Sequence, residues 1–160
     1  MPTVNIFDQR KNVVGEVELA SAWLAGRLVA ITGTKGKSTT TALTGRILEA
    51  AGVRTLVGGN IGTPLSSQVA DSTSDTVHVV EVSSFQLEMT SSFHPFIAAL
   101  LNLSPDHLDR HLSWSAYTEA KARIFANQTP DDWAVVNADD PGAIELAERT
   151  PARRVTFSAA

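Results

Sequence analysis

The sequence predicts an α/β domain with a mostly parallel sheet and helices on both faces. Short apolar runs of strand length alternate along the chain with segments whose apolar residues recur at helical spacing. Polar residues of the kinds that bind anions and metal ions follow three of the predicted strands. Because ligands collect outside the carboxyl ends of parallel strands, this placement supports the same architecture as the alternation does.

The composition limits which classes of protein, and which kinds of binding partner, are compatible with this sequence. A chain of 160 residues with 43% hydrophobic and 19% charged residues is typical of one globular domain. A net charge of −4 and the lack of a basic stripe argue against a nucleic-acid partner. No apolar run reaches the ~18 residues of a membrane helix, so we expect no membrane partner. The absence of cysteine excludes disulfides and thiolate chemistry and fits a cytoplasmic location.

Local patterns set the predicted elements. Apolar residues recur at helical spacing from residue 39 to residue 51, and Gly52 is a helix stop. Asp140 followed by Pro141 is typical of a helix cap and first helical position. The polar segment 66–76 is expected to be a solvated helix end and loop. Strands are predicted at residues 28–31, 53–57, 77–82, 97–103, 134–136 and 154–157, and helices at residues 39–51, 115–127 and 141–148.

A glycine- and hydroxyl-rich loop, GTKGKSTTT at residues 33–41, joins the first predicted strand to the first predicted helix. Backbone N–H groups at a helix start carry partial positive charge and bind phosphate oxygens. Lys37 can reach a terminal phosphate, and the Ser38 hydroxyl can bind a magnesium ion. Only two residues separate Gly33 from Gly36, where the usual P-loop has four, so this is a compact variant. The alternative is a tight turn with an exposed lysine, which the flanking strand and helix disfavour.

Glu81 interrupts the apolar run at residues 77–82. A buried carboxylate without a partner is costly, so we expect it to be paired or bound to a metal ion, as a magnesium ligand near the phosphate loop. The alternative is a solvent-facing position on an edge strand. Ser83, Ser84 and Gln86 follow, and they can either hydrogen-bond a polar substrate or cap the next helix.

Two further candidates lie later in the chain. The segment DHLDRH at residues 106–111 holds two carboxylates and two imidazoles, which suit magnesium or manganese better than structural zinc, although solvated turns have similar sequences. Lys121 lies on the apolar side of the predicted helix 115–127, together with Tyr117 and Phe125. Taken alone, it is interpreted as a lysine whose stem packs while its amine extends to water.

Six segments occur in an order that resembles the central ATPase domain of the Mur ligase family. The resemblance spans residues 13–160, and GGNIG and the Phe85-Gln86 pair are most similar to members that join D-glutamate to UDP-N-acetylmuramoyl-L-alanine. It implies an ATP-driven ligase of peptidoglycan synthesis, in which an acyl phosphate of the substrate reacts with the amine of D-glutamate. The six segments are TGTKGKSTT, GGNIG, EVSSFQLE, LNLSPDHLDRH, YTEAKARIF and VVNADDP.

The resemblance also implies roles for single residues. Lys37, His107 and Lys121 would be catalytic, and Asp106 would orient His107. Ser38, with Thr39, and Glu81 would hold one Mg²⁺, while His107 and a carbamylated Lys121 would hold a second. Asn60, Ser83 and Gln86 would contact the muramoyl-peptide substrate. The phosphates of ATP would lie against Thr34, Lys35, Gly36, Lys37, Ser38, Thr39 and Thr40, with Lys35 standing where asparagine is more usual in the family.

Family members have three domains, which sets an expectation for the domain organisation of this chain. Residues 1–26 are expected to be a remnant of the N-terminal UDP-binding domain, and residues 27–160 the central ATP-binding domain, truncated at its C-terminal end. The chain alone is then expected to be inactive, with the flanking domains of the full-length enzyme as partners. The alternatives are another Mur ligase, a folylpolyglutamate-type ligase, or a regulatory P-loop module that binds nucleotides.

Overall fold

The protein folds around a six-stranded sheet in which every strand is parallel to its neighbours. The computed structural model describes residues 6–7 and 13–158. Of the expected remnant at residues 1–26, residues 1–5 and 8–12 therefore lie outside the described residues. A short antiparallel pair, β1 (Ile6–Phe7) and β2 (Val13–Val14), precedes the sheet. The sheet has the order β4-β5-β3-β6-β7-β8. Its strands are β3 (Arg27–Thr32), β4 (Thr55–Gly59), β5 (Val77–Glu81), β6 (Ile97–Leu100), β7 (Trp133–Asn137) and β8 (Arg153–Phe157).

Helices connect these strands. Within the described residues, no helix combines the length and the apolar composition needed to cross a bilayer. Two 3₁₀ segments, Leu65–Asp71 and Arg123–Phe125, supplement the α-helices. The α-helices are α1 (Glu16–Ser21), α2 (Lys37–Ala50), α3 (Ser84–Glu88), α4 (Leu108–His111), α5 (Trp114–Ala122) and α6 (Pro141–Ala147).

The sheet has apolar side chains on both faces, as the near-continuous apolar strands predict. Successive residues of β3 alternate, so Leu28 and Ala30 join one apolar cluster while Val29 and Ile31 join the other. The larger cluster also contains residues of α1, α3, α6 and both 3₁₀ segments, and the smaller one packs against Leu48 of α2. The predicted architecture, with helices on both faces of a parallel sheet, is confirmed.

The helices cover the two faces of the sheet to different extents. On the α2 side, a groove of about 530 Å³ runs between α2 and Phe157 of β8, with a floor of sheet residues that includes Val29 and Val135. Leu43 and Ile47 of α2 are also 56% and 59% exposed. This side of the domain therefore presents a largely apolar surface.

The strand predictions hold, with shifted ends. The predicted strand at residues 97–103 is wrong in its last three residues, because the regular strand β6 ends at Leu100. There the Leu101 N–H donates to the carbonyl of Thr32, and the Leu103 N–H donates to the Asp140 carboxylate. The strand predicted at residues 53–57 instead spans Thr55–Gly59, so it starts two residues later and includes Gly58 and Gly59.

The helix predictions differ more. The predicted helix 115–127 begins one residue earlier, because Ser113 caps it, and it tightens into a 3₁₀ turn after Ala122. Segment 66–76 is the end of a 3₁₀ helix followed by a loop at residues 72–76, as predicted, although Gln68 within it is buried rather than solvated. No bounds were predicted for the short helices α1, α3 and α4, since six, five and four residues are too few to show a helical period.

Candidate active site

The carboxyl ends of the parallel strands bring the predicted site residues to one edge of the sheet. In the strand register, Glu81 at the end of β5 lies beside Ile31 of β3 on one side and Gly59 of β4 on the other. The loop after β3 leaves the sheet where the strand order reverses, with β5 and β4 on one side and β6 to β8 on the other. Crevices at such switch points are where open α/β sheets bind ligands.

The loop that follows β3 exposes a helix N-terminus. Gly36 precedes α2 with φ 81° and ψ −5°, a left-handed conformation that side chains with a Cβ avoid, which explains why glycine stands there. The helix begins at Lys37, and within the described residues the N–H groups of residues 36–39 have no hydrogen-bond acceptor. Gly36, Ser38 and Thr39 are exposed. These N–H groups lie at the N-terminus of a 14-residue helix, where the helix dipole favours an anion, and they form a candidate anion site.

The other N–H groups of the expected phosphate loop are used inside the protein. The N–H groups of Thr34 and Lys35 donate to the Asn102 side-chain oxygen at 3.1 and 2.8 Å, and the Thr40 N–H donates to the carbonyl of Gly36. The Thr34 hydroxyl is 2.8 Å from the Tyr117 hydroxyl. The N–H groups open to a phosphate are thus those of residues 36–39, a smaller set than residues 34–40. Asn102 and Tyr117, which hold the loop, were not among the predicted site residues.

Lys37 lies over this loop. It is half-buried, and its Nζ donates to the carbonyl of Thr34 at 2.9 Å. The cation therefore sits beside the open N–H groups at the start of α2 rather than extending into solvent. An anion bound there would meet both sources of positive charge.

Glu81 is a buried carboxylate with one oxygen unpartnered. It is 1% exposed on β5, which lies between β4 and β3, so the edge-strand alternative is wrong. Its Oε1 accepts a hydrogen bond from the Asn60 amide at 2.8 Å, while its Oε2 has no hydrogen-bond partner. Leaving a buried carboxylate oxygen unpaired is costly, so this atom fits a cation that would satisfy it.

Lys121 is 2% exposed, and its amine points inward to the phosphate loop. Its Nζ donates to the carbonyl of Gly33 at 2.8 Å and lies 4.8 Å from the Tyr117 ring centre. The interpretation of an amine that extends to water is therefore wrong. Burial first, and the nearby Lys37 ammonium second, lower the pKa of Lys121 to about 7 against the opposing effect of Asp106. Near neutral pH, a large fraction of this amine is uncharged.

The acid–imidazole segment 106–111 does not form a single cluster. His107 is exposed, has φ 51°, and its Nε2 lies 3.6 Å from the Asp106 carboxylate, beyond hydrogen-bond distance. The His111 side chain is buried, with Nε2 2.9 Å from the Ser84 hydroxyl and its ring stacked on Phe85 at 5.0 Å. Among the described residues, no group of three or more His, Asp or Glu side chains could hold a metal ion. A divalent ion here would need oxygen atoms from a bound ligand or a modified side chain.

The residues predicted to contact a substrate also have contacts within the protein. Ser83 and Gln86 form a capping box at the start of α3, which is one of the two interpretations that the sequence left open. The exposed Asn60 holds the carboxylate of Glu81. A contact between these three residues and a substrate stays a prediction.

Comparison with known proteins places this geometry in a family. Residues 31–160 match the family described as the Mur ligase middle domain. The chain belongs to the Mur ligase family. Among curated relatives, a UDP-N-acetylmuramoylalanine–D-glutamate ligase of Koribacter versatilis (strain Ellin345) is 51% identical over 91% of this chain, and one of Acidobacterium capsulatum is 53% identical over the same share. The chain spans 32% of the length of each of these relatives.

Solved structures of Mur ligases share the fold. A UDP-N-acetylmuramoyl-L-alanyl-D-glutamate–2,6-diaminopimelate ligase is 28% identical, with a TM-score of 0.64 over 83% of this chain and 32% of that protein. A MurF ligase from Thermotoga maritima in complex with ADP is 22% identical, with a TM-score of 0.67 over 89% of this chain and 36% of that protein. The six-stranded parallel sheet described above is therefore the Mur ligase middle-domain fold.

Proposed function

We propose that this chain is the ATP-binding part of a ligase that joins D-glutamate to UDP-N-acetylmuramoyl-L-alanine in peptidoglycan synthesis. The proposal follows the similarity to UDP-N-acetylmuramoylalanine–D-glutamate ligases at 51–53% identity. The observation that carries it is the meeting of three groups at one edge of the sheet: the anion site with Lys37, the buried Glu81 and the buried Lys121. A turn that only binds phosphate would not require the buried Glu81 and the buried Lys121.

The reaction proposed is amide formation driven by ATP. The substrate carboxylate attacks the γ-phosphate, which forms an acyl phosphate and releases ADP. The amine of D-glutamate then attacks the acyl carbon, and inorganic phosphate leaves. The N–H groups of residues 36–39 bind phosphate oxygens, and the Lys37 ammonium neutralises negative charge that develops on the transferred group.

The residues that would hold Mg²⁺ fit a hard cation. The unpaired Oε2 of Glu81 and the exposed Ser38 hydroxyl, with Thr39 beside it, supply oxygen ligands near the anion site. His107 and Lys121 would hold a second ion. When bound, Mg²⁺ would neutralise negative charge on the phosphate oxygens.

The buried amine of Lys121 suits carbamylation. With its pKa near 7, the neutral amine can attack CO₂, and loss of one proton then leaves an anionic carbamate in place of the cation. A carbamate supplies the oxygen ligands that a protonated lysine lacks. This conversion would also remove the cost of a buried positive charge next to Lys37.

The remaining parts of the proposed enzyme belong to the rest of a longer protein. The relatives are about three times as long as this chain, which spans 32% of them. We place binding of the uridine nucleotide and of D-glutamate in domains that flank residues 27–160, with residues 1–26 as part of the first. Without those domains, the chain would not complete the reaction, and in the cell the enzyme would act in the cytoplasm, where ATP is available.

The test is ADP release by the full-length protein that contains this chain. We expect release to require both UDP-N-acetylmuramoyl-L-alanine and D-glutamate. The substitution Lys37→Met should lower turnover by about 100-fold or more, because it removes one preorganised charge at the transferred phosphoryl group. Arg46→Met, which removes an exposed cation from the same helix, is the matched control and should leave turnover unchanged.

Each alternative predicts a different outcome of this assay. Release of ADP that is indifferent to D-glutamate would assign the chain to another Mur ligase or a folylpolyglutamate-type ligase. Tight binding of GTP in preference to ATP, without ligase activity, would indicate a regulatory nucleotide-binding module. Normal turnover of the Lys37→Met variant would refute the phosphate role of that lysine.

A further inference from the structure

We propose that Asn102 is a positioning residue that sets the shape of the phosphate-binding loop and thereby the affinity for the nucleotide. Asn102 follows β6, on a different segment from the loop itself. Its Oδ1 accepts from the N–H groups of Thr34 and Lys35 at 3.1 and 2.8 Å, and its Nδ2 donates to the carbonyl of Lys35 at 3.0 Å. The side-chain amide thus pairs with the loop backbone as a neighbouring strand would.

This pairing continues the sheet beyond its last regular residue. In the strand register, Thr32 of β3 is opposite Leu100 of β6, and the Asn102 carbonyl also accepts from the Thr34 N–H at 3.0 Å. Gly33, at φ 155°, allows the close approach, because a Cβ there would lie 3.0 Å from the Cβ of Leu101. The start of the loop is therefore tied to the end of β6 through backbone and side chain together.

The hydrogen bonds of Asn102 determine which N–H groups of the loop face a ligand. Asn102 engages the N–H groups of Thr34 and Lys35, so the loop turns at Gly36 and presents the N–H groups of residues 36–39 together. Without the Asn102 side chain, the N–H group and the carbonyl of Lys35 would lose their partner, and the Thr34 N–H would keep only the backbone carbonyl of residue 102. The segment before Gly36 would then be freer to take other conformations. A preorganised set of N–H groups binds phosphate without the cost of ordering the loop.

The inference rests on the proposed ATP-binding function, and the experiment separates the two. In the full-length protein, we expect Asn102→Ala to raise the KM for ATP about tenfold, since the three hydrogen bonds between the Asn102 side chain and the loop are lost. We expect kcat and the KM values for the other two substrates to change less than threefold, because Asn102 contacts the loop and not the reacting groups.

Asn127→Ala is the matched control. Asn127 is also half-buried, and its Nδ2 holds a loop by donating to the carbonyls of Ser91 and Phe93 at 2.9 and 3.0 Å, away from the phosphate loop. Both variants should lower the melting temperature similarly, but only Asn102→Ala should raise the KM for ATP. An unchanged KM for ATP in Asn102→Ala, in a protein whose Lys37→Met variant is inactive, overturns the inference and leaves the proposed function intact. Wild-type protein that does not use ATP overturns both.

Discussion

At the residue scale, Lys121 shows how burial changes the chemistry of a side chain. The amine is enclosed by the loop carbonyl of Gly33 and the ring of Tyr117, and within the described residues no carboxylate forms a salt bridge with it. Removal from water favours the neutral form, and the ammonium of Lys37 acts in the same direction. A residue that is ordinarily a permanent cation becomes one that titrates near neutral pH.

This titration makes the stability of the domain depend on pH. The folded-state pKa of Lys121 is about 7, below the ordinary value of 10.5, so the unfolded chain binds more protons between these two pH values. The free energy of unfolding should therefore rise with pH in this window, by roughly 2 kcal/mol from pH 7 to pH 9 for this group alone. Urea unfolding of this chain in CO₂-free buffer measures the effect.

Lys121→Met is the comparison variant, because it keeps the length of the side chain and removes the charge. We expect the variant to be more stable than the wild type at pH 7 and to lose most of the rise between pH 7 and pH 9. An equal rise in both proteins would mean that the Lys121 amine is not held in an environment that disfavours its charge.

At the scale of elements, a single carboxylate joins α1 to the segment that precedes β6. Glu18 of α1 is 7% exposed and accepts four hydrogen bonds: from the N–H groups of Ser91, Ser92 and Phe93 and from the Ser92 hydroxyl. Burial by itself raises the pKa of Glu18, but these hydrogen bonds outweigh burial and hold the pKa below its usual value. The short helix α1 is thus held in place by charge-assisted bonds as well as by Val17 and Ala20 in the core.

Glu18→Gln should destabilise the domain by about 2 kcal/mol at pH 7, because an amide NH₂ would face backbone N–H donors where the carboxylate accepts. A lowered folded-state pKa stabilises the protein above the unfolded-state pKa, near 4.5, and this stabilisation is lost as the pH falls through the folded-state value. The difference between wild type and variant should therefore shrink below about pH 4. Chemical unfolding at several pH values measures it.

Glu49→Gln makes the same change of charge at an exposed position of α2 and serves as the control. It should alter the free energy of unfolding by less than about 0.5 kcal/mol. If Glu18→Gln behaved like this control, the contacts of Glu18 with segment 91–93 would contribute nothing to stability.

At the scale of the whole molecule, the site depends on segments far apart in sequence. Lys37 begins α2 and Lys121 lies in the last turn of α5, yet the charge of Lys37 lowers the pKa of Lys121. Glu81 reaches the same edge through β5, which pairs with β3 in the sheet. Parallel pairing puts the ends of these elements together, which no local sequence pattern could do.

Lys37→Met should therefore raise the pKa of Lys121 above its wild-type value of about 7, because one of the two influences that lower it is removed. A pH titration followed by NMR of lysine labelled with ¹³C at Cε measures this. Lys35→Met is the control, since Lys35 is exposed in the same loop and is not among the groups that shift the pKa of Lys121. Identical Lys121 pKa values in the wild type and Lys37→Met would contradict the proximity of the two amines.

Much of the fold follows from the sequence alone. The apolar runs mark the six strands of the sheet, the Asp140-Pro141 pair marks the start of α6, and the GTKGKS segment marks a helix N-terminus after a strand. These features depend on neighbours within a few residues, so a local pattern is enough to predict them. The helices α1 and α4 are too short to carry such a pattern, and packing against the rest of the molecule decides them.

The features of the site can likewise be separated into those that a local sequence pattern predicts and those that depend on the tertiary structure. The sequence by itself predicted that Lys37 stands at a helix start and that Glu81 lies in a strand, while the burial of Glu81 between β4 and β3 is decided by the tertiary structure. Only the tertiary structure decided that Lys121 points inward, that His107 and His111 face different surroundings, and that Asn102 holds the loop. The physical reason is that the direction, burial and pKa of a side chain depend on which distant segments surround it. The pairing of β3 with β5 and β6 determines which segments meet at this site.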